Sequence, residues 1–162
     1  TILEDFEFIS GAKEAIAHLC QNGYKVFVVS NQAGVTKGIY TQETLDKITD
    51  EMLKEIETMG GYIQKVLYCI HTEEQNCDCR KPKIGLINET FKNTKDVDIK
   101  NSFFIGDSIR DIKTGKAIGC KTILVLSGRE NIYNRKNWEA QPDFIAQDLS
   151  NATEIILTQS KK

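Results

Sequence analysis

The sequence predicts an α/β fold in which a parallel sheet is covered by helices. Three observations lead there. Short β-rich apolar runs alternate with segments whose apolar residues recur at helical spacing. The polar clusters "SNQ", "CIHT" and "GD" directly follow three of those runs, and parallel sheets bind ligands at the carboxyl ends of their strands. No repeat or low-complexity stretch breaks the alternation, and the two prolines, Pro82 and Pro142, lie outside the periodic segments.

In "GAKEAIAHLCQNG" residues Ala12, Ala15, Ile16 and Leu19 share a helical face, and Gly23 makes a stop. "KVFVVS" is a continuous apolar run, as expected of a strand buried on both faces. "NQAGVTKGIY" is a loop with two glycines, after which Thr41 caps a helix striped by Leu45, Ile48, Met52, Ile56 and Met59. Gly60 and Gly61 end it. "QKVLYCI" is the second strand, a short helix covers 84–91, and "SFFIGD" is the third strand. "SIRDIKTGKAIG" reads as a helix stopped at Gly119 and "KTILVLS" as the fourth strand. Residues 127–142 are irregular, "DFIAQD" is a last short strand, and a helix runs over 149–157.

The chain has 162 residues, 40% of them hydrophobic and 27% charged, so a single domain over 1–162 has apolar material for a core without disulfides. Its net charge of -2 comes from interspersed signs, with no basic stripe or tail, which argues against nucleic acid or an anionic membrane as partner. No apolar run approaches the roughly 20 residues of a membrane span, and no signal peptide is visible. Three of the five cysteines cluster in one loop. That pattern suits a metal site in a reducing compartment better than a disulfide framework, so the expectation is a cytoplasmic monomer.

The cluster is "CIHTEEQNCDC", in which Cys69, His71, Cys77 and Cys79 read C-x-H-x5-C-x-C. Thiolates and imidazole are zinc's preferred ligands, and four of them close a tetrahedron with no open position, which makes the expected zinc structural. Arg80 and Lys81 follow at once. Fixed by such a loop, two cations suit an anionic substrate, Arg clamping an oxyanion with two bonds and Lys supplying a compact charge. A solvated basic pair is the plainer reading. Ser30, Asn31 and Gln32 end a strand and offer a hydroxyl and two amides to phosphate oxygens, unless they are simply a polar turn. In "GDSIRD" Asp107 and Asp111 lie four residues apart across a strand end and a helix start, a spacing at which both can face one Mg²⁺. The competing reading is an N-cap by Asp107 or Ser108 with Asp111 in the first turn. His18, Cys20 and Cys120 are read as packing or surface residues, and Tyr133 and Trp138, in the irregular segment, as surface contacts rather than a flap.

Taken in order, "VVSNQAG", "CIHTEEQNCDCRKPK" and "FIGDSIRD" resemble the haloacid dehalogenase-like (HAD) phosphatase superfamily. More narrowly they resemble its zinc-containing branch, which holds the D-glycero-D-manno-heptose 1,7-bisphosphate 7-phosphatases and the histidinol-phosphate phosphatases. The resemblance runs from about residue 5 to the C-terminal helix. It implies a Rossmann-like core, a Mg²⁺-dependent aspartyl-phosphate mechanism and a phosphorylated sugar as substrate. By motif, Ser30 bonds the transferring phosphoryl group, Lys81 stabilises its charge, Asp107 is a direct Mg²⁺ ligand and Asp111 supports the metal. Asn31, Gln32, Ala33, Arg80 and Ser108 hold the substrate. The expected reaction is removal of the 7-phosphate of the heptose bisphosphate, with histidinol phosphate as the other substrate and a non-catalytic, zinc-stabilised phosphate binder as the alternative of another class.

One departure from the resemblance matters. The family's first motif, a strand ending in D-x-D-G-T, is absent, and "TILEDFEFISG" resembles the segment that lies some two dozen residues after it. Both catalytic aspartates belong to that motif, whose strand is central in the fold, between the strands ending at Ser30 and at Gly106. With a first residue that is not Met, this leads to the expectation of a piece of a longer product, lacking the central strand and inactive alone.

Overall fold

The computed structural model describes residues 11–94 and 96–160. The segment "TILEDFEFIS" therefore lies outside the described residues. The chain forms two compact units, Thr1–Arg80 and Lys81–Lys162.

In the first unit, helix α1 (Ala12–Gln21) leads to strand β1 (Val26–Asn31), helix α2 (Gln42–Thr58) and strand β2 (Ile63–Cys69). Strands β1 and β2 pair in parallel, with Ser30 opposite Tyr68 and Asn31 opposite Cys69. Helix α1 buries Ala15, Ile16, Ala17 and Leu19 and packs on α2 and β1. Helix α2 starts where the sequence places it, with the Thr41 hydroxyl accepting from the Thr44 N–H. Of its expected stripe, Leu45 and Ile56 are fully covered, whereas Met59 at its end is 39% exposed. Strand β1 corrects an expectation: it is half-buried along its length rather than buried on both faces, because its sheet has two strands among the described residues.

The second unit holds helix α3 (Gly85–Lys92), strand β3 (Phe103–Gly106), helix α4 (Ile109–Ile118), strand β4 (Lys121–Val125), strand β5 (Phe144–Ala146) and helix α5 (Leu149–Ser160). Its three strands form a parallel sheet in the order β3-β4-β5. Helix α4 packs on β3 and β4, and α5 on β5 and β4. Gly119 closes α4 in the left-handed conformation at φ 97°, which only glycine adopts at no steric cost. The core is centred on Ile112, Leu124 and Trp138. Trp138 is thus a core residue, while Tyr133 is exposed. The segment read as irregular contains a 3-10 helix, Ile132–Asn137, whose first turn is held by the Asn131 carboxamide accepting from the Tyr133 N–H. Such local side-chain caps leave no apolar period to detect.

The single sheet read from the sequence appears as two: among the described residues no strand pairing joins β1 to β3. All strand pairings within the two sheets are parallel. No helix of the described residues is long and apolar enough to cross a membrane.

One polar side chain is buried in β4. Thr122 is fully buried, and Asp143 accounts for both its N–H (2.8 Å) and its hydroxyl (3.0 Å), which in turn accepts from the Asp143 N–H at 3.0 Å. Asp143→Ala leaves a buried amide and hydroxyl short of acceptors. It should lower the unfolding free energy by about 1–3 kcal/mol, read from urea denaturation.

Candidate phosphate-handling and zinc sites

Each unit gathers part of the residue set singled out in the sequence. In the first unit β2 ends at Cys69, and the chain turns through a short 3-10 helix, Glu73–Gln75, before returning with Cys77 and Cys79. The turn is built from local bonds. Thr72 and Gln75 form a reciprocal capping box, and Asn76 takes the left-handed conformation at φ 47°, which Asn tolerates better than most residues.

This brings Cys69, His71, Cys77 and Cys79 together, with their ligand atoms all within 4.8 Å of one another. Cys69 Sγ lies 3.5 Å from His71 Nδ1 and 3.5 Å from Cys77 Sγ. Cys79 Sγ lies 3.2 Å from His71 Nδ1, 3.6 Å from Cys77 Sγ and 2.8 Å from Cys69 Sγ. A tetrahedron with zinc's usual bond lengths has edges of about 3.5–3.8 Å, so the donor set and spacing fit one zinc ion through Nδ1 of the imidazole. The 2.8 Å pair is too long for a disulfide, whose S–S length is about 2.05 Å. The thiols perturb one another. Burial works against ionisation of Cys77, but the backbone N–H groups of Cys79 and Arg80 outweigh it and bring that thiol down to about 6. Burial first, then Cys69 and Cys77, push Cys79 up to about 12.

The loop after β1 is tied to this one. The Gln32 N–H donates to the Cys69 carbonyl at 2.6 Å and the Thr36 hydroxyl to the Ile70 carbonyl at 2.6 Å. Within it, the Tyr40 hydroxyl donates to Gln32 Oε1, and Gln32 Nε2 donates to Ser30 Oγ at 2.9 Å. Ser30 therefore receives a bond on its oxygen and keeps its own proton to give. Tyr40 was not singled out in the sequence. It reaches Gln32 because Gly34 has no side chain: a Cβ there would sit 2.6 Å from the ring's Cζ. A glycine two residues after an amide and an aromatic six further on is the signal, and it is not distinctive alone. Asn31 and Ala33, half-buried, flank Gln32. Arg80 donates from Nη1 to the His71 carbonyl at 3.3 Å, and its buried Nε has no partner among the described residues.

In the second unit the chain meets at Asp111. Lys81 Nζ donates to Oδ1 at 2.5 Å. Oδ2 accepts from the Ser108 hydroxyl at 3.0 Å and from the Asp107 N–H at 3.2 Å. Ser108 is also the N-cap of α4, so its hydroxyl is engaged within the corner. No hydrogen bond or ion pair to the Asp107 carboxylate is found among the described residues. Of the two carboxylates read as facing Mg²⁺, Asp107 is thus the one with its oxygens available. A hard carboxylate oxygen at a strand's end fits a Mg²⁺ that keeps most of its waters.

A family model described as HAD-hydrolase-like matches residues 78–152. The D-glycero-α-D-manno-heptose-1,7-bisphosphate 7-phosphatase of Campylobacter jejuni is 36% identical over 125 residues, 77% of this chain and 71% of the relative. The chain belongs to this phosphatase family of the HAD-like hydrolases. The D-glycero-β-D-manno-heptose-1,7-bisphosphate 7-phosphatase of Pseudomonas aeruginosa is 34% identical over 78% of this chain and 71% of its own length. Among solved structures, the D,D-heptose 1,7-bisphosphate phosphatase of B. bronchiseptica, complexed with magnesium and phosphate, matches with a TM-score of 0.87 at 29% identity, over 97% of this chain and 87% of that one. The enzyme of Burkholderia thailandensis follows at 0.71 and 26%, over 98% and 91%. The fold is the Rossmann-like one expected of HAD phosphatases.

Of the zinc loop, residues 69–79, only Cys69 is buried. Ordering it costs about 1–2 kcal/mol per residue; zinc, at about 10–16 kcal/mol in small structural sites, supplies what apolar burial cannot. Protein purified without added metal should hold one zinc per chain by plasma mass spectrometry. Proton competition for the thiolates should release it in acid. Cys79→Ser should lose the metal and expose residues 69–79 to proteolysis; full zinc retention would contradict the site.

Proposed function

We propose that this chain is the phosphate-handling body of a Mg²⁺-dependent phosphomonoester hydrolase that removes the 7-phosphate of D-glycero-D-manno-heptose 1,7-bisphosphate. The observation that carries the reading is the Lys81 ammonium locked to Asp111, beside an Asp107 carboxylate with no protein partner among the described residues. Family membership narrows the substrate, since the relatives are named for this sugar.

Asp107 holds the cation as its direct ligand. Bound there, Mg²⁺ supplies positive charge to the phosphoryl oxygens. Lys81, held in place by Asp111, donates to an oxygen of the transferring group. In the first unit, Ser30 keeps its proton for a phosphate oxygen, polarised by the bonds running from Tyr40 through Gln32. Also in the first unit, Arg80 offers its guanidinium to an oxyanion, and Asn31 and the backbone at Ala33 offer polar groups to a sugar. Asp111 serves through Lys81.

The 162 residues contain no D-x-D-G-T, so the chain by itself brings binding and electrostatics but not the nucleophile that the family resemblance implies. Removing such groups costs orders of magnitude in rate. The chain alone, assayed with Mg²⁺ and the heptose bisphosphate, should show no metal-dependent release of phosphate. Supplying a D-x-D-G-T strand, fused ahead of Thr1 or in trans, should restore it. Metal-dependent turnover by the chain alone would overturn the missing-nucleophile reading.

With turnover established, kcat/KM for the heptose bisphosphate should exceed that for histidinol phosphate. Histidinol phosphate carries an amine and an imidazole, which call for carboxylates, and Glu73, Glu74 and Asp78 are exposed in the zinc loop. Arg80→Ala should cost the bisphosphate roughly 1.5–3 kcal/mol of transition-state stabilisation through a lost charged hydrogen bond. Faster hydrolysis of histidinol phosphate would reassign the substrate.

A further inference from the structure

After β4 the chain crosses the second unit as a strap, residues 126–141, before β5 begins. Trp138 anchors it, buried against Ile112 and Leu124. The indole N–H donates to Glu130 Oε2 at 2.9 Å. The Glu130 backbone N–H donates to the Asp107 carbonyl at 3.1 Å. Lys113 of α4 pairs with Glu139 next to the tryptophan. Gly128, two residues before Glu130, lies flat against the Asp107 side chain: a Cβ there would overlap Oδ2 and come within 2.7 Å of Cγ. Gly128 is not in the left-handed region, so the close approach, and not backbone freedom, requires glycine at this position.

We propose that Glu130 and Gly128 are positioning residues for Asp107, with Trp138 as their anchor, and that together they present the carboxylate to a divalent cation. The inference rests on the reading of Asp107 as the Mg²⁺ ligand. A carboxylate with no hydrogen-bond partner among the described residues can turn about its side-chain bonds wherever nothing packs against it, and binding a cation must stop that motion. The Gly128 backbone blocks one direction of rotation by covering Oδ2, which leaves the other oxygen to the cation. The Glu130 N–H holds the peptide of Asp107, so the ligand cannot drift with its loop. The Glu130 side chain is in turn held by an indole that the core keeps still. A ligand fixed by its surroundings binds metal more tightly than the same ligand left loose.

Mn²⁺ is a suitable probe, because it broadens nuclear resonances close to it even when bound weakly. The full 162-residue chain is titrated with Mn²⁺ while the amide signals of Gly106, Asp107 and Gly128 are followed, and the thermal midpoint is recorded beside it. Wild type should show saturable broadening centred on Asp107. Gly128→Ala, Glu130→Ala and Trp138→Phe should each raise the Mn²⁺ midpoint, by roughly tenfold for a lost outer-sphere restraint. Glu130→Gln keeps a side-chain oxygen for the indole and should stay close to wild type. A strap that merely stabilises the fold would lower Tm in Trp138→Phe and Glu130→Ala and leave the Mn²⁺ midpoint unmoved; that result overturns the proposal. Glu130→Gln behaving like Glu130→Ala overturns the acceptor role of Glu130. Absence of broadening at Asp107 in wild type overturns the Mg²⁺-ligand reading and this inference with it, which separates the two failures.

Discussion

The carboxylate of Asp111 holds the β3–α4 corner together. One oxygen takes the Lys81 ammonium and the other takes the Ser108 hydroxyl and the Asp107 N–H. The two charged side chains are 13% and 8% exposed. Desolvation offsets most of the attraction in a pair so shielded, so the pair adds little net stability, whereas deleting one partner costs about 3–5 kcal/mol. Its value lies in geometry. A lysine on a four-carbon stem becomes a fixed point charge, and the strand end and the helix start become one rigid corner. Gly106 belongs to the same constraint, since a Cβ on it would fall 2.5 Å from Asp111 Oδ2. Strand β3 ends in glycine because a carboxylate lies against it.

The first unit reaches rigidity by another route. Its site loops bury little apolar surface, and hydrogen bonds knit them in place of packing. Gln32 and Thr36 bind carbonyls at Cys69 and Ile70, and Arg80 binds the carbonyl of His71. All three acceptors belong to a metal ligand or lie beside one. A zinc ion that fixes Cys69 and His71 therefore also sets the loop carrying Gln32 and the direction of Arg80. Its structural role extends to the arrangement of side chains that hold no metal.

The legible parts of this protein were those carried by local sequence. The strand runs, the Thr41 cap, the Gly119 stop and the zinc ligands each announce themselves within about a dozen residues, because their physics is local. That Asp107 and Asp111 come together where β3 ends and α4 begins was legible too. That Lys81, thirty residues away, takes one oxygen of Asp111 was not. Tyr40 and Trp138 were illegible for the same reason. An aromatic in a polar loop looks like a surface residue until the glycine that admits it, or the core that receives it, is in place. The half-burial of β1 was missed because an apolar run reports what a strand can bury, not how many strands flank it.

Arg80 and Lys81 are adjacent in the chain and held by unlike means. Lys81 has its charge matched by Asp111 at 2.5 Å. Summed over Lys81, Asp111 and Asp107, the corner carries one net negative charge, and a phosphate dianion approaching it is repelled. A divalent cation on Asp107 turns the sum to one net positive charge. Arg80 is held through a neutral carbonyl and has no such dependence. Its buried Nε lacks an acceptor among the described residues. Arg80 therefore takes its direction from the turn that carries His71, and Lys81 from the carboxylate at the β3–α4 corner.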